Sequence, residues 1–309
     1  MDLTILIPTK NRHFHIKRIL KYYSDFSFNG FIIFFDSSKK SIYKKNLKEI
    51  KKSKNHKISI VRYSALPFQC FSKFNHLIKT KYVCYSGDDD YFVISGLQES
   101  IKLLRKKKII GINGNSMSVE TTGLNYNSIN SIGDYENYSS VSKNAFNRVK
   151  FMLDKYRVPL FSVFKSKEFK KMLRNVPNKK NIQKCPWRGV SDELIESFNL
   201  TYLGSISHFN KPFMLRTASN LERGYLKLLP YIKYVKSYEY LKKNIIKKFK
   251  NKKEKNILNF KFEEYFKYRN TLTFSGKTSL IVKLKFHPVT LVYTYFKMFF
   301  LNRSRKKFK

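Results

Sequence analysis

Three consecutive aspartates, Asp88, Asp89 and Asp90, are the residues of this sequence that point most directly to a chemistry. They stand out because the chain has 63 Lys and Arg against 21 Asp and Glu, and no acidic residue between Glu49 and Asp88. Adjacent carboxylates repel one another, so a turn that holds them together needs a compensating cation. Their oxygen atoms suit Mg²⁺ or Mn²⁺, which proteins often share with substrate phosphates. The alternative is a solvated acidic turn facing the lysine excess.

The elements around the triplet predict where it lies. Residues 82–85 form an apolar run that predicts a buried strand, and similar runs occupy residues 3–8, 31–35, 58–61, 109–112 and 159–164. Amphipathic segments that predict helices lie between them, over residues 13–23, 44–52, 71–78 and 94–105. This alternation indicates βαβ units and a mainly parallel sheet, in which ligands bind beyond the carboxyl ends of the strands. Residues 121–147, rich in Asn, Ser, Tyr and Gly, are predicted to form a long loop over the site.

Three segments of the chain resemble nucleotide-sugar-dependent glycosyltransferases of the family 2 type, which have the GT-A fold. Residues 3–12 are similar to the first strand of that family and to the loop that follows it. Residues 32–38 look like its second strand, and residues 82–90 look like the strand that carries its DxD metal motif, here Gly-Asp-Asp-Asp. The resemblance covers residues 1–220 and is clearest over residues 1–95. It implies an α/β, Rossmann-like GT-A fold with helices on both sides of the sheet.

The resemblance also implies which residues bind the donor and the metal. Pro8, Thr9, Asn11 and Arg12 correspond to the loop that lines the nucleotide pocket, Asp36 to the residue that contacts the base or ribose, and Lys73 and Asn75 to an Arg and an Asn before the DxD strand. In the motif the last Asp binds the metal and the first approaches the ribose. This favours Asp88 with Asp90. A second register of the motif, with Gly87 in the first place and Asp89 in the last, is also open. The alternatives are an ordinary turn for Asn11 and Arg12, an Asx turn for Asp36, and a solvated helix face for Lys73 and Asn75.

An inverting transfer needs a general base that deprotonates the acceptor hydroxyl as it attacks the anomeric carbon. The family takes this Asp from the start of a later helix, often as a Glu-Asp pair, whereas this sequence has Asp192-Glu193 preceded by Ser191. The resemblance favours Asp192 as the base and Glu193 as the second candidate. Acidic residues at a helix N-terminus that only complement the helix dipole are the alternative.

Two later residues correspond less closely to the family. His208 lies where some GT-A enzymes place a further metal ligand, although a structural histidine fits the same position. Arg216 is either a cation for the diphosphate or a surface residue. The cofactor that the resemblance implies is a divalent metal, Mn²⁺ or Mg²⁺.

The formal net charge of +42 points first to a nucleic-acid partner, but its distribution favours another interpretation. Residues 231–309 contain 22 Lys and Arg against four Glu, and residues 280–301 are largely apolar and aromatic. This pattern is typical of a segment that lies on an anionic membrane surface, with a helical subdomain that has a solvated lysine face as the alternative. We therefore divide the chain into a GT-A-like domain, residues 1–224, and a basic, mostly helical C-terminal extension, residues 225–309. No nucleic acid is expected as a partner.

The leading hypothesis is a metal-dependent inverting glycosyltransferase that uses a nucleotide sugar, with UDP as the expected nucleotide, and a cell-surface glycan or lipid-linked acceptor. One alternative is a non-catalytic nucleic-acid-binding protein that uses the Lys/Tyr-rich tail, but it gives no reason for the aspartates. The other is a sugar nucleotidyltransferase, a class that usually has a Gly-rich N-terminal loop, absent between Pro8 and His15. Three separated cysteines and an N-terminus without a secretory pattern predict a cytoplasmic location, with attachment to the inner face of the membrane.

Overall fold

A computed structural model describes residues 1–53, 57–122, 128–135, 138–176, 193–219 and 231–273 of the chain. Some of the sequence predictions fall outside this part. Asp192 is not among the described residues, and neither are residues 274–309, which carry most of the predicted membrane-binding segment. The membrane surface therefore stays a prediction. Among the described residues, no helix is long and apolar enough to cross a membrane.

The first half of the chain builds four parallel strands. They are β1 (Leu3–Thr9), β2 (Phe31–Asp36), β3 (Ile58–Arg62) and β4 (Tyr82–Tyr85), in the sheet order β3-β2-β1-β4. Helices α1 (His13–Asp25), α2 (Lys40–Lys52) and α3 (Pro67–Lys73) connect them, and a short 3₁₀ helix (Asn75–Leu77) precedes β4. The apolar runs of β1, β2 and β4 become central strands that are buried along most of their length, as in other parallel sheets, whereas β3 lies at the edge of the sheet and is only partly buried. The helix predicted over residues 71–78 is wrong in its limits, since α3 begins at Pro67, which suits a first helical position.

The second half adds strands of both directions to the same sheet. It contains β5 (Tyr91–Phe92), α4 (Ile94–Lys106), β6 (Gly111–Thr122), β7 (Ser128–Tyr135), α5 (Ala145–Asp154), β8 (Val163–Lys165), α6 (Ser166–Leu173), α7 (Ile195–Leu203) and β9 (Ile206–Ser219). The full order is β3-β2-β1-β4-β8-β6-β9-β5, with β7 paired to β6. β8 joins β4 and β6 antiparallel, whereas β6 and β9 run parallel. The loop predicted over residues 121–147 is wrong in part, because β7 and the start of α5 lie within it.

Strand register brings three segments to one edge of the sheet. Thr9, the last residue of β1, pairs with Asp36, the last residue of β2, and Leu6 of β1 pairs with Tyr85, the last residue of β4. The core beneath this edge is made of buried aliphatic and aromatic side chains from β1, β2, β4 and α1. The acidic triplet, Asp36 and the loop after β1 therefore begin at neighbouring strand ends, as the sequence predicts.

Two further helices follow the sheet, α8 (Tyr231–Ile246) and α9 (Lys252–Thr273). The chain divides into two compact units, Met1–Asn259 and Phe260–Lys309. Within the first unit, Phe249 after α8 packs its ring against Phe146 and Tyr202, with ring centroids 6.4 and 5.5 Å away. The boundary predicted at residue 224 falls in residues 220–230, outside the described part, so it stays a prediction.

Gly96 offers a test of how closely α4 packs against β9. A Cβ atom at this position would lie 2.5 Å from the carbonyl oxygen of Pro212 and 2.9 Å from the Cα of Phe213. We expect Gly96→Ala to lower the free energy of unfolding by about 1–3 kcal/mol, although alanine is the better helix former. The matched control is Gly133→Ala, whose Cβ would meet no atom within 4 Å and should change stability by less than about 0.5 kcal/mol. Urea unfolding of both variants is the measurement, and equal stabilities would contradict the close packing.

Candidate active site

The acidic turn after β4 is fastened to the end of β1. Thr9 donates a hydrogen bond from its hydroxyl to Oδ2 of Asp88 over 2.7 Å. Arg12, in the loop after β1, contacts Asp88 through Nη1 and Asp89 through Nη2, the latter over 2.9 Å. One guanidinium thus bridges two adjacent carboxylates, a charge-assisted arrangement that fixes the distance between the two loops. The structure brings Thr9, Arg12, Asp88 and Asp89 together, as the sequence predicts.

The third aspartate is held by β9 instead. The backbone N–H of Thr217 donates to Oδ1 of Asp90 over 3.2 Å, and the Thr217 hydroxyl donates to the carbonyl of Asp89 over 2.6 Å. Nε of Arg216 lies 3.5 Å from Oδ2 of Asp90. β9 therefore completes the site from the far side of the acidic turn, and Arg216, which the sequence left open, lies beside an aspartate.

Arg216 is also held by an aromatic stack that the sequence did not predict. Its guanidinium carbon lies 4.0 Å from the ring centroid of Phe161, a geometry that favours a cation–π interaction. The Phe161 ring stacks in turn on Tyr85 at the end of β4, with centroids 5.5 Å apart and an interplanar angle of 19°. No motif marks Phe161, because the contact depends only on the position of the segment before β8.

Burial dominates the electrostatics of the turn. Asp88 and Asp90 are 4% and 3% exposed. Burial, reinforced by the neighbouring Asp89 charge, raises the pKa of Asp88 to about 7 and that of Asp90 to about 6, although Arg12 and Arg216 act in the opposite direction. His15, on α1, has its pKa lowered to about 4 by burial and by Arg12, with Asp89 opposing the shift. The site therefore favours additional positive charge near its carboxylates.

Carboxylate oxygens border the space above Gly87. A Cβ atom on Gly87 would lie 2.9 Å from Oδ1 of Asp89 and 3.0 Å from Oδ2 of Asp90, so two carboxylate oxygens converge where this residue has no side chain. Among the described residues, no group of three or more His, Cys, Asp or Glu side chains could hold a metal. A pair of carboxylates nevertheless suits Mg²⁺ or Mn²⁺, which commonly takes one or two carboxylates and completes its shell with water and substrate phosphates.

The loop after β1 is held to the turn after β2 by Asn11. Asn11 has a φ of 58°, in the left-handed region that non-glycine residues seldom adopt. Its backbone N–H donates to the Ser38 hydroxyl over 2.6 Å, and its side-chain oxygen accepts from the backbone N–H of Lys39 over 3.0 Å. Pro8, half-buried in β1, pairs with Phe35 of β2. These residues position the loop that carries Arg12.

Asp36 lies at the expected strand end but inside the protein. Its Oδ1 accepts a hydrogen bond from the backbone N–H of Ser38, and its Oδ2 accepts one from Nδ2 of Asn46, both over 2.7 Å. The residue is 0% exposed. The first bond is the Asx turn that the sequence offered as the alternative. Direct contact between Asp36 and a base stays a prediction, and it requires this turn to open.

The remaining predicted residues have partners outside the acidic turn. Nζ of Lys73 lies 4.1 Å from the ring centroid of Tyr63, and the amide of Asn75 donates to the carbonyl of Ser72. Glu193 accepts a hydrogen bond from the Tyr156 hydroxyl over 2.6 Å. None of these contacts involves the aspartates.

His208 is not brought to the triplet. Its Nδ1 and Nε2 lie 2.9 and 3.0 Å from the side-chain oxygens of Asn113 and Asn115. On β6, the residues opposite His208 and Arg216 are five positions apart, which corresponds to about 17 Å along a strand. The structure therefore corrects the assignment of His208 as a metal ligand alongside Asp90, because β9 continues past it before reaching the aspartates.

The raised pKa of Asp90 predicts that a neutral residue at this position becomes stabilising, relative to wild type, as the pH rises. The folded protein keeps the Asp90 proton up to about pH 6, whereas the unfolded chain releases it at about pH 4. The free energy of unfolding of the wild type therefore falls as the pH rises through this interval. Asp90→Asn does not titrate. We expect its free energy of unfolding, relative to wild type, to increase by about 2 kcal/mol between pH 4.5 and pH 8.

Urea titrations in buffers free of divalent ions measure this difference. The control is Asp25→Asn, which removes an exposed partner of Lys21 and should change stability by less than about 0.5 kcal/mol at either pH. An Asp90→Asn variant whose stability relative to wild type does not increase between pH 4.5 and pH 8 would contradict the burial of an unfavourable charge.

Comparisons with known proteins identify the fold. No protein-family model and no curated protein sequence matches the chain. Among solved structures, S. aureus TarS 1–349 superimposes with a TM-score of 0.60 at 13% identity, over 90% of this chain and 75% of that one. S. aureus TarS 1–349 in complex with UDP-GlcNAc gives a TM-score of 0.59 at 12% identity, over 93% and 77%. The GT-A fold predicted from the sequence is thereby confirmed.

Proposed function

We propose that this protein is a metal-dependent, inverting glycosyltransferase that transfers a sugar from a UDP-linked donor to a glycan or lipid-linked acceptor. The observation that carries the proposal is the paired cluster of Asp88, Asp89 and Asp90 with Arg12 and Arg216 at the carboxyl ends of the parallel strands. Ligands of open α/β sheets bind at this edge. The shared fold supports the choice of donor, because TarS 1–349 has been crystallised with UDP-GlcNAc.

The donor diphosphate is the group that this cluster suits. The sequence favours Asp88 with Asp90 for the divalent ion. We propose instead that Asp89 and Asp90 hold the ion, because their oxygens converge over Gly87 while Asp88 is engaged by Thr9 and Arg12. When bound, such an ion supplies positive charge that offsets the charge developing on the departing diphosphate. Arg216 is half-buried between Phe161 and Asp90, so its guanidinium is a second, fixed source of positive charge. Arg12 holds Asp88 and Asp89 beside the loop after β1.

The acceptor hydroxyl must lose its proton as it attacks. In the proposed reaction, the acceptor oxygen forms a bond to the anomeric carbon while the bond from that carbon to the diphosphate oxygen breaks. The electron pair of the broken bond leaves with the nucleoside diphosphate, and the proton passes to a carboxylate. We assign this role to Asp192, with Glu193 as the second candidate. Tyr156 supports the region by donating its hydroxyl hydrogen bond to Glu193, which orients that side chain.

Nucleotide binding is the first test of this function. We expect UDP with Mn²⁺ to raise the thermal midpoint of the protein more than UDP alone, because the ion would supply positive charge between the diphosphate and the carboxylates. Asp89→Ala and Asp90→Asn should each remove the metal-dependent part of the shift and lower transfer by at least about 100-fold.

The exposed Asp25→Asn variant serves as the control and should behave as wild type does. A differential scanning experiment across UDP, GDP and CDP, with and without Mn²⁺, makes the comparison in one plate. Equal shifts for all nucleotides, or a shift that persists in full in Asp90→Asn, would contradict the proposal.

Separate variants test the general base. Asp192→Asn should lower transfer by about 10²- to 10⁴-fold while the affinity for UDP changes little, since the base acts on the acceptor and not on the donor. Glu193→Gln should have a smaller effect, and Tyr156→Phe should also have a small effect, because it removes the hydrogen bond that orients Glu193. Steady-state transfer rates, together with UDP titrations, distinguish the two carboxylates. A larger loss in Glu193→Gln than in Asp192→Asn would reverse the assignment.

A further inference from the structure

A buried chain of hydrogen bonds links the end of β2 to the start of α1. Oδ2 of Asp36 accepts from Nδ2 of Asn46 over 2.7 Å, and Oδ1 of Asn46 lies 2.8 Å from Nδ1 of His13. Asp36 and Asn46 are each 0% exposed, whereas His13 is partly exposed. The chain thus begins in the core and ends on a residue that reaches the surface.

The direction of these bonds fixes the proton on His13. Asp36 also accepts from the backbone N–H of Ser38, so its carboxylate acts as the acceptor at both oxygens. Asn46 must therefore present its NH₂ group to Asp36 and its oxygen to His13. Nδ1 of His13 has to donate, and in the neutral ring Nε2 then carries the lone pair.

His13 stands at the edge of the sheet where the donor is expected. It follows Arg12, whose guanidinium contacts Asp88 and Asp89, and it is the first residue of α1. Because Nδ1 points to a fully buried amide, Nε2 on the opposite side of the ring points away from the core. Among the described residues, Nε2 has no hydrogen-bond partner.

We propose that His13 determines the nucleotide specificity of the donor site by accepting a hydrogen bond from the base at Nε2. This inference rests on the proposed function. A lone pair at that position pairs with an N–H group such as N3–H of uracil or thymine, whereas N3 of cytosine carries no hydrogen. Asp36 and Asn46 are positioning residues that act through His13. The arrangement also accounts for an Asp36 that resembles the family motif in the sequence and yet is buried.

The test compares UDP and CDP binding by isothermal titration calorimetry. His13→Asn keeps a donor close to the place of Nδ1 but has no atom at Nε2, so we expect UDP affinity to fall about 5- to 10-fold while CDP affinity changes less than about twofold. His13→Gln brings an amide oxygen near Nε2 and should restore part of the preference for UDP. His76→Asn, which alters an exposed histidine, is the matched control.

The outcomes separate this inference from the proposed function. If wild type binds neither nucleotide, both are overturned. If wild type prefers UDP and His13→Asn keeps the full preference, or loses UDP and CDP affinity equally, the role of His13 is overturned while the proposed function stands. Should His13→Asn fail to fold, as judged by its thermal midpoint, the UDP-to-CDP ratio of His13→Ala decides, because alanine has no acceptor in place of Nε2: a ratio that falls to about one supports the inference, and a retained preference overturns it.

Discussion

Compensation of charge at the turn after β4 is the constraint on which the rest of the site depends. Three adjacent carboxylates, two of them almost completely buried, would repel one another and resist ionisation. Arg12 from the loop after β1 and Arg216 from β9 approach them from opposite sides. Removing either guanidinium would leave a buried charge without its partner, which is far more costly than the pair itself is stabilising. The loop conformation, the strand register and the position of β9 all serve to keep these two cations in place.

The compensation is incomplete, and that has a chemical consequence. Even with both arginines present, burial keeps the pKa of Asp88 near 7 and that of Asp90 near 6. A ligand that brings positive charge is therefore bound more tightly once these groups ionise, and the folded state gains stability with it. A site that costs stability when empty and recovers it on binding is typical of functional positions, where sequence and stability are in conflict. Gly87 fits this view, because any side chain there would fill the space between Asp89 and Asp90.

The sequence predicts the parallel half of the sheet and the strand ends well, because short apolar runs followed by turn residues, such as residues 31–35 and 82–85, are typical of buried strands. It could not predict the partners of Asp90, since Thr217 is 127 residues away and contacts it only through the pairing of β5 with β9. Local pattern also failed over residues 121–147, where polar residues form β7, because pairing with β6 outweighs their weak strand propensity. The position of His208 in the chain suggested a metal ligand near the aspartates. In the structure β9 has extra residues opposite Asn113 to Ser116 of β6, and these separate His208 from the aspartates.

Asp36 corresponds to a residue of the family motif, and in this structure its carboxylate has its partners inside the protein. The superposition with TarS 1–349 covers nearly the whole chain at 13% identity, so what the two share is the arrangement of strands and not the side chains between them. In this chain α2 places Asn46 against Asp36. The two carboxylate oxygens of Asp36 accept hydrogen bonds from the Asn46 amide and from the backbone N–H of Ser38, and so orient both groups. The polar atom that reaches the surface from this network belongs to His13, one helix away. In the proposed role of His13, recognition of the base depends on the tautomer of a histidine and not on the charge of an aspartate. A histidine that accepts at Nε2 distinguishes bases by whether they present an N–H group to it.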